Sequence, residues 1–419
     1  ALVFLVALPI LAVLLFSIVS HVQPLYTKMQ TAIDLVNRII QENLTAIRVV
    51  KAYVKGEYET EKFDEVNRNL KTQSEKAFRL AALNMPAMQI VMYGTILSLI
   101  WFGGRMIQVG GMQVGELTGF LSYVMQILNS LMMISNVFLM MTRSMASGSR
   151  ILEIIDEKVD ITDREAEDHE VERGEVEFDH VYFQYRKDAP EYILSDVSLK
   201  IPAGSTFGII GQTGSAKSTL IQLIPRLYDA TKGEVRIDGI PVKKYKVEHL
   251  RDAIAVVLQK NTLFSGTLIE NLRWGKEDAT MEEIEQACRI ACADEFIDRL
   301  ADGYETEMGQ GGVNVSGGQK QRLCIARAIL KRPKVLILDD STSAVDTATE
   351  AKIRTMLKEE LPEMTKIIIA QRISSVRHAD QILILDDGKV SDIGTHEELL
   401  ERNEIYQEIY ESQKEGAEL

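Results

Sequence analysis

Cysteine is nearly missing from this chain: Cys288, Cys292 and Cys324 are the only three in 419 residues. Three thiols cannot build a disulfide framework, so the polar part is expected to work in a reducing, cytosolic compartment. Cys288 and Cys292 lie four apart on an expected helix and could touch; two small packed residues is the ordinary reading of such a pair. A positive surplus is missing too. There are 47 lysines and arginines against 61 acids, a net charge of −14, which argues against nucleic acid as a partner. No charged segment precedes the first apolar run, which begins at Ala1, so a cleavable secretory leader is not expected. The chain reads as a piece of a longer one.

What is present is apolar: 46% of the residues, gathered in part into three runs long enough to cross a bilayer as helices, which takes about 20 residues. From Ala1 to Val19 only Pro9 and Ser17 interrupt the pattern. No charge falls between Leu80 and Gly104, and none between Leu117 and Thr142. Basic residues set the orientation. Lys28, Arg38, Arg48, Lys51, Lys55, Lys62, Arg68, Lys71, Lys76 and Arg79 separate the first two runs, whereas the short link between the second and third holds only Arg105. The long stretch and everything after Arg143 are therefore expected on the cytosolic side. Ile33, Val36, Ile39, Ile40, Leu44 and Ile47 fall at helical spacing within that stretch. Two antiparallel arms of about 25 residues each would reach roughly 35–40 Å below the membrane.

The acidic segment from Asp156 to Gly174 reads as a linker. After it the pattern changes to short strands at 176–178, 181–185, 206–210, 235–237, 255–258, 335–338, 366–370 and 381–385, with amphipathic helices between them. Near-continuous apolar strands such as VLIL argue for a parallel sheet covered on both faces.

Three motifs carry chemistry. The first, GQTGSAKST, comprises Gly211, Gln212, Thr213, Gly214, Ser215, Ala216, Lys217, Ser218 and Thr219. It follows the strand TFGII and precedes a helix, the context of a phosphate-binding loop. Its amides would hold phosphate oxygens, Lys217 would neutralise them and Ser218 would ligate Mg²⁺. Ala216 departs from the usual pattern, which has glycine before the lysine. The second, KVLILDD, ends a buried strand in Asp339 and Asp340, at the sheet edge where ligands bind in open α/β folds. Asp339 would hold Mg²⁺. The third, VSGGQKQRLCIARAIL, opens a helix at Ser316, Gly317, Gly318 and Gln319.

Together these resemble the ATP-binding domain of ABC transporters, and SGGQ followed by KQR is the most specific sign. The resemblance implies further roles. Gln259 would link the ATP site to the membrane helices and help hold the metal; Tyr185 would stack on adenine; Ser343, Ala344, Val345 and Asp346 would form the loop crossing a dimer interface. The SGGQ element would complete the ATP site of the opposite subunit. Residues 1–150 resemble the last three of six membrane helices of an exporter half, with helical arms over 21–80. Residues 151–173 would be linker and 174–419 the nucleotide-binding domain. Residues 43–59 resemble the region of a coupling helix that docks on the partner's ATP-binding domain. The fold class expected is thus an α-helical transmembrane bundle plus an α/β P-loop ATPase. The chain would sit in a bacterial plasma membrane, bind ATP and Mg²⁺, and move a small or amphipathic substrate, multidrug exporters being the nearest likeness.

Two departures bear on mechanism. Hydrolysing members carry glutamate where this chain has Asp340 and histidine where it has Gln371. Aspartate is one methylene shorter, so its carboxylate sits about 1.5 Å further back, and a 1 Å misplacement can lower a rate about 10²-fold. Glutamine cannot carry the imidazole's proton or charge. An intact SGGQ beside an altered site of its own implies a heterodimer in which Asp340, Gln371 and Lys217 run a weak site while a second half-transporter supplies the strong one. A homodimer with two slow sites, and an ATP-gated channel or regulator on the same scaffold, remain as alternatives at this point.

Overall fold

The computed structural model describes residues 2–186, 188–340 and 345–415, with some side chains within 2–19, 128–146 and at 415 left undescribed. Ala1, Ser343 and Ala344, named above, lie outside the described residues, as do the side chains of Val19, Thr142 and Arg143. The chain forms two compact units, Ala1–Glu157 and Lys158–Leu419.

The first unit is helical throughout: α1 (Leu2–Thr45), α2 (Ile47–Ala52), α3 (Gly56–Ala82), α4 (Asn84–Gln108) and α5 (Val114–Ile155). The three apolar runs fall in α1, in α4 and in α5. Among the described residues, the stretch Gly56–Gln108 is long and apolar enough to cross a membrane. Its apolar side chains are mostly turned outward. Ile90, Leu97 and Trp101 are all exposed, and among the described residues Met88, Leu99 and Val124 form a small buried cluster. That inside-out distribution suits a lipid solvent, which makes no demand that leucine be hidden. Gly103 lets α4 approach α5, since a Cβ there would collide with the Leu117 side chain.

The arms expected over 21–80 are the lower part of α1 and α3. They run antiparallel. Near one end Tyr26 meets Phe78 edge-on, and near the other Asn43 Nδ2 donates to Glu59 at 2.9 Å. Ala32, Ile39 and Ala77 are buried along the seam. The turn between the arms is α2, none of whose residues is buried.

In the second unit the strands are β1 (Val176–Phe183), β2 (Leu194–Ile201), β3 (Thr206–Ile210), β4 (Lys232–Ile237), β5 (Ile240–Pro241), β6 (Ile254–Val257), β7 (Gly266–Thr267), β8 (Glu307–Met308), β9 (Val335–Asp339), β10 (Thr365–Ile369), β11 (Gln381–Asp386) and β12 (Lys389–Gly394). The helices are α6 (Lys217–Gln222), α7 (Val247–Asp252), α8 (Leu268–Arg273), α9 (Met281–Ile290), α10 (Asp294–Ile297), α11 (Gly317–Leu330), α12 (Thr347–Glu360), α13 (Ile373–Val376), α14 (His396–Arg402) and α15 (Glu404–Glu415). The expected parallel sheet is present: β11, β3, β10, β9 and β6 lie side by side and parallel, with β12 antiparallel at one edge. A second, antiparallel sheet has the order β2-β1-β4-β5.

The segments expected as two strands, 176–178 and 181–185, are one strand. The register shifts between Phe178 and Val181, and His180 sits at φ +47°, so a bulge hid the continuity from a period-two reading. Strands β2, β5, β7, β8 and β12 were absent from the sequence reading. β2 alternates buried and exposed residues and β12 is an edge, so neither shows an apolar run.

One core packs between the two sheets and includes Phe178, Phe207, Ile209 and Leu220. The other packs α9 and α11 against the parallel sheet. All three cysteines are free and buried, and burial pushes the Cys288 thiol up to about 12. The segment expected as linker is tied to the second unit from residue 163 onward. Asp163 accepts from the Val247 amide at 3.0 Å, Glu167 pairs with Lys244 and Asp168 with Lys246, and Val171 is buried.

Candidate nucleotide site

The loop Gly211–Ala216 leaves β3 at the carboxyl edge of the parallel sheet and turns into α6. Gly211 is required sterically, because a Cβ would strike the Leu385 carbonyl and lie 2.7 Å from Ser215 Oγ. Gln212, Thr213 and Gly214 form the exposed crown of the loop. Ala216 takes φ +71°, ψ +22°. This is left-handed backbone, where a Cβ costs about 1–2 kcal/mol relative to glycine. The departure from glycine at Ala216 thus carries a backbone cost.

Lys217 Nζ donates to the carbonyls of Gly211 and Gln212, each at 2.8 Å, and to Ser215 Oγ at 3.3 Å. Burial lowers its pKa, opposed by Asp339 and Asp340. A cation wrapped on its own loop in this way is poised for an anion that would replace those weak carbonyl contacts.

β9 delivers the two acids. Asp339 is only 6% exposed and is hydrogen-bonded by the Ser218 hydroxyl. Burial is the largest cause raising its pKa. Asp340, next in the chain, sits at φ +46°, a conformation aspartate tolerates better than most residues. Its pKa is raised by burial as well. Two amides converge on it: Gln371 Nε2 donates to Asp340 Oδ2 at 3.1 Å and Gln259 Nε2 to the same oxygen at 3.4 Å. Ser218 bonded to Asp339, with the Gln259 amide on neighbouring Asp340, supplies oxygen donors of the kind a hard cation such as Mg²⁺ takes. No group of three or more His, Cys, Asp or Glu that could hold a metal occurs among the described residues. A cation here would therefore draw further ligands from phosphate and water.

Tyr185 stands beside α6. Its hydroxyl hydrogen-bonds the Thr219 hydroxyl at 3.1 Å and donates to Gln222 at 3.4 Å, while the ring is 49% exposed. Phe183 and Tyr228 brace it edge-on, at centroid distances of 4.9 and 5.1 Å. Tyr228 was not anticipated: no spacing in the sequence links it to Tyr185, 43 positions away.

Ser316 caps α11 in a reciprocal box. Its backbone N–H donates to Gln319 Oε1 at 2.8 Å, and its Oγ accepts from the Gln319 amide at 3.3 Å. Ser316, Gly317, Gly318 and Gln319 line a pocket of about 380 Å³ with Arg322, Val345 and Asp346. Asp346 also caps α12 through the Thr349 amide at 3.0 Å, which holds its carboxyl below the usual range. No phosphate-loop residue lines this pocket. The structure thus gathers Tyr185, Gly211–Thr219, Gln259, Asp339, Asp340 and Gln371 at one place, and Ser316–Gln319 with Asp346 at another.

The fold and site define a P-loop nucleotide hydrolase joined to a helical membrane domain. Comparison with known proteins agrees over nearly the whole length. The ABC transporter family matches residues 194–343 and the ABC transporter transmembrane region matches residues 1–131. YfiB of Bacillus subtilis, an uncharacterized ABC transporter ATP-binding protein, is 42% identical over 99% of this chain and 72% of its own. An ATP-dependent lipid A-core flippase of Legionella pneumophila is 33% identical over 99% of this chain and 70% of its own. A solved bacterial Atm1-family ABC exporter with ATP bound superposes with a TM-score of 0.88 at 29% identity, covering 98% of this chain and 72% of that one. The chain belongs to the ABC transporter family, as an exporter-type half-transporter with membrane and ATP-hydrolysing domains fused in one polypeptide. ATP-driven export across the cell membrane is its class of activity, and exporters of this kind work as dimers.

Proposed function

We propose that this chain is the weak-site subunit of a heterodimeric exporter. Its own pocket holds ATP for long periods while its SGGQ helix completes the partner's working site. The observation that carries the reading is an asymmetry. Ser316–Gln319 forms an intact capped helix start, yet the hydrolytic position is an aspartate whose carboxylate is engaged by two glutamine amides.

In this reading Tyr185 stacks on adenine, worth about 1–3 kcal/mol. The amides of Gly211 to Thr219 and Lys217 hold the phosphates, and Ser218, Gln259 and Asp339 hold Mg²⁺. The metal, when bound, neutralises phosphate charge. Asp340 is the base that would orient a water, and Gln371 and Gln259 restrain it. A shortened, amide-bound carboxylate positions that water poorly, so ATP binding and domain closure outlast hydrolysis at this site. The arms α1 and α3, with α2 at their tip, transmit closure to the membrane helices. The substrate class is a small or amphipathic molecule, in keeping with relatives whose names give lipid A-core flipping and, for YgaD of Bacillus subtilis, putative multidrug export.

The test is Mg-ATPase activity of the purified chain alone and with its candidate partner. The pair should turn over at least tenfold faster than this chain by itself. Robust turnover by the chain alone overturns the heterodimer. In the pair, Asp340→Glu combined with Gln371→His should raise hydrolysis at this site; an unchanged rate removes these two residues as the cause.

A further inference from the structure

We infer that Gln413, on the C-terminal helix α15, is a positioning residue for the loop that carries Gln371. This rests on the reading that Gln371 belongs to a nucleotide site. Strand β10 pairs on both sides as far as Ile369, and the Ala370 amide still reaches Ile209 O at 3.2 Å. Beyond that the chain leaves the sheet, and the Gln371 carbonyl and Ile373 amide have no strand partner. Gln413 supplies both bonds with one side chain. Its Nε2 donates to Gln371 O at 2.7 Å and its Oε1 accepts from Ile373 N at 2.8 Å.

The loop is thereby pinned from two directions. The Gln371 side chain is held by Asp340 at 3.1 Å, and its backbone is held by α15. Helix α15 is itself fixed: Tyr406 is fully buried and hydrogen-bonds His396 at 2.8 Å, and Ile405, Ile409 and Tyr410 pack on the core. The Gln371 backbone therefore cannot shift without straining two bonds to α15. A primary amide is the right group here, because it offers one donor and one acceptor side by side. A neutral carboxylic acid can do the same; a carboxylate cannot, having no proton for Gln371 O.

The experiment follows release of a fluorescent ATP analogue from the full-length dimer as purified. The signal lost in Lys217→Ala is assigned to this chain's site; if no signal is lost there, it is the nucleotide-site reading that fails. Gln413→Ala should speed release from this site about fivefold, as expected for losing backbone hydrogen bonds, and should add nothing in a Gln371→Ala background. Gln413→Glu should release as fast as Gln413→Ala at pH 8 and recover toward wild-type behaviour only as pH falls into the ordinary carboxylate range, near about 4.5. Wild type is read at each pH to remove the contributions of Asp340, Arg372, His378 and His396. Unchanged release in Gln413→Ala overturns the proposal. So does an effect additive with Gln371→Ala, or a Gln413→Glu defect with no pH dependence, because each marks a merely structural role.

Discussion

At the scale of single residues, two chemically different costs meet at the site. Ala216 imposes a backbone cost, since its left-handed φ of +71° is one that glycine takes freely. Ala216→Gly should stabilise the nucleotide-free chain by about 1 kcal/mol. Thermal unfolding of the detergent-solubilised protein should register this as a rise of about 2 °C or more, and a fall would contradict the strain argument. Asp339 and Asp340 impose an electrostatic cost: burial raises the pKa of both. Their protons are held more tightly in the folded chain than in the unfolded one. That contribution to stability is full below the ordinary carboxylate range and is lost as pH rises through the raised values. For the metal the sense is reversed, because Mg²⁺ needs Asp339 ionised. Magnesium-dependent ATP binding should weaken as pH falls from 8 to 5, beginning above the ordinary carboxylate range. Asp339→Asn should abolish that dependence, and a flat profile in wild type would refute it.

At the scale of elements, the arms depend on close approach. Ala77 is fully buried and Ala32 nearly so, along a seam also held by the pairs Asn43 with Glu59 and Glu42 with Lys62. The two alanines let α1 and α3 lie side by side. Ala77→Leu should force them apart at about 1–3 kcal/mol. Limited proteolysis should then cut near α2 faster than in wild type, while ATP binding is kept. The helical spacing of Ile33, Val36 and Ile39 made this hairpin legible, because an amphipathic stripe needs a partner. The bulged strand β1 was not legible as one element, since the extra residue at His180 breaks the alternation by which strands are recognised. Strands β2 and β12 escaped for the reason that edges and half-exposed strands carry a weak apolar signal.

At the scale of the whole molecule, one chain serves two nucleotide sites in the proposed dimer. Ser316→Ala removes the cap of α11, worth about 1 kcal/mol, and with it a donor at the partner's site. ATP hydrolysis by the pair should fall about 10²-fold, while analogue binding assigned to this chain through Lys217 persists. Loss of that binding instead would mean that SGGQ serves its own site, and the two-site reading would go with it.

Much of this protein was written in local order. Membrane runs, phosphate loop, strand-borne acids and SGGQ are contiguous segments whose chemistry depends on neighbours a few positions away, so spacing together with the family resemblance announces them. The altered positions Asp340 and Gln371 were equally readable, because each sits inside a recognisable motif. What the sequence could not hold is contact between distant segments: the two amides meeting on Asp340, Tyr228 behind Tyr185, the Ser218 hydroxyl on Asp339, and Gln413 closing the loop around Gln371 from 42 positions away. Backbone conformation was hidden as well: the strained φ of Ala216 is not legible in the sequence. Such features arise only when the parallel sheet brings the ends of β3, β9 and β10 side by side, and no periodicity records which distant residues will then be neighbours.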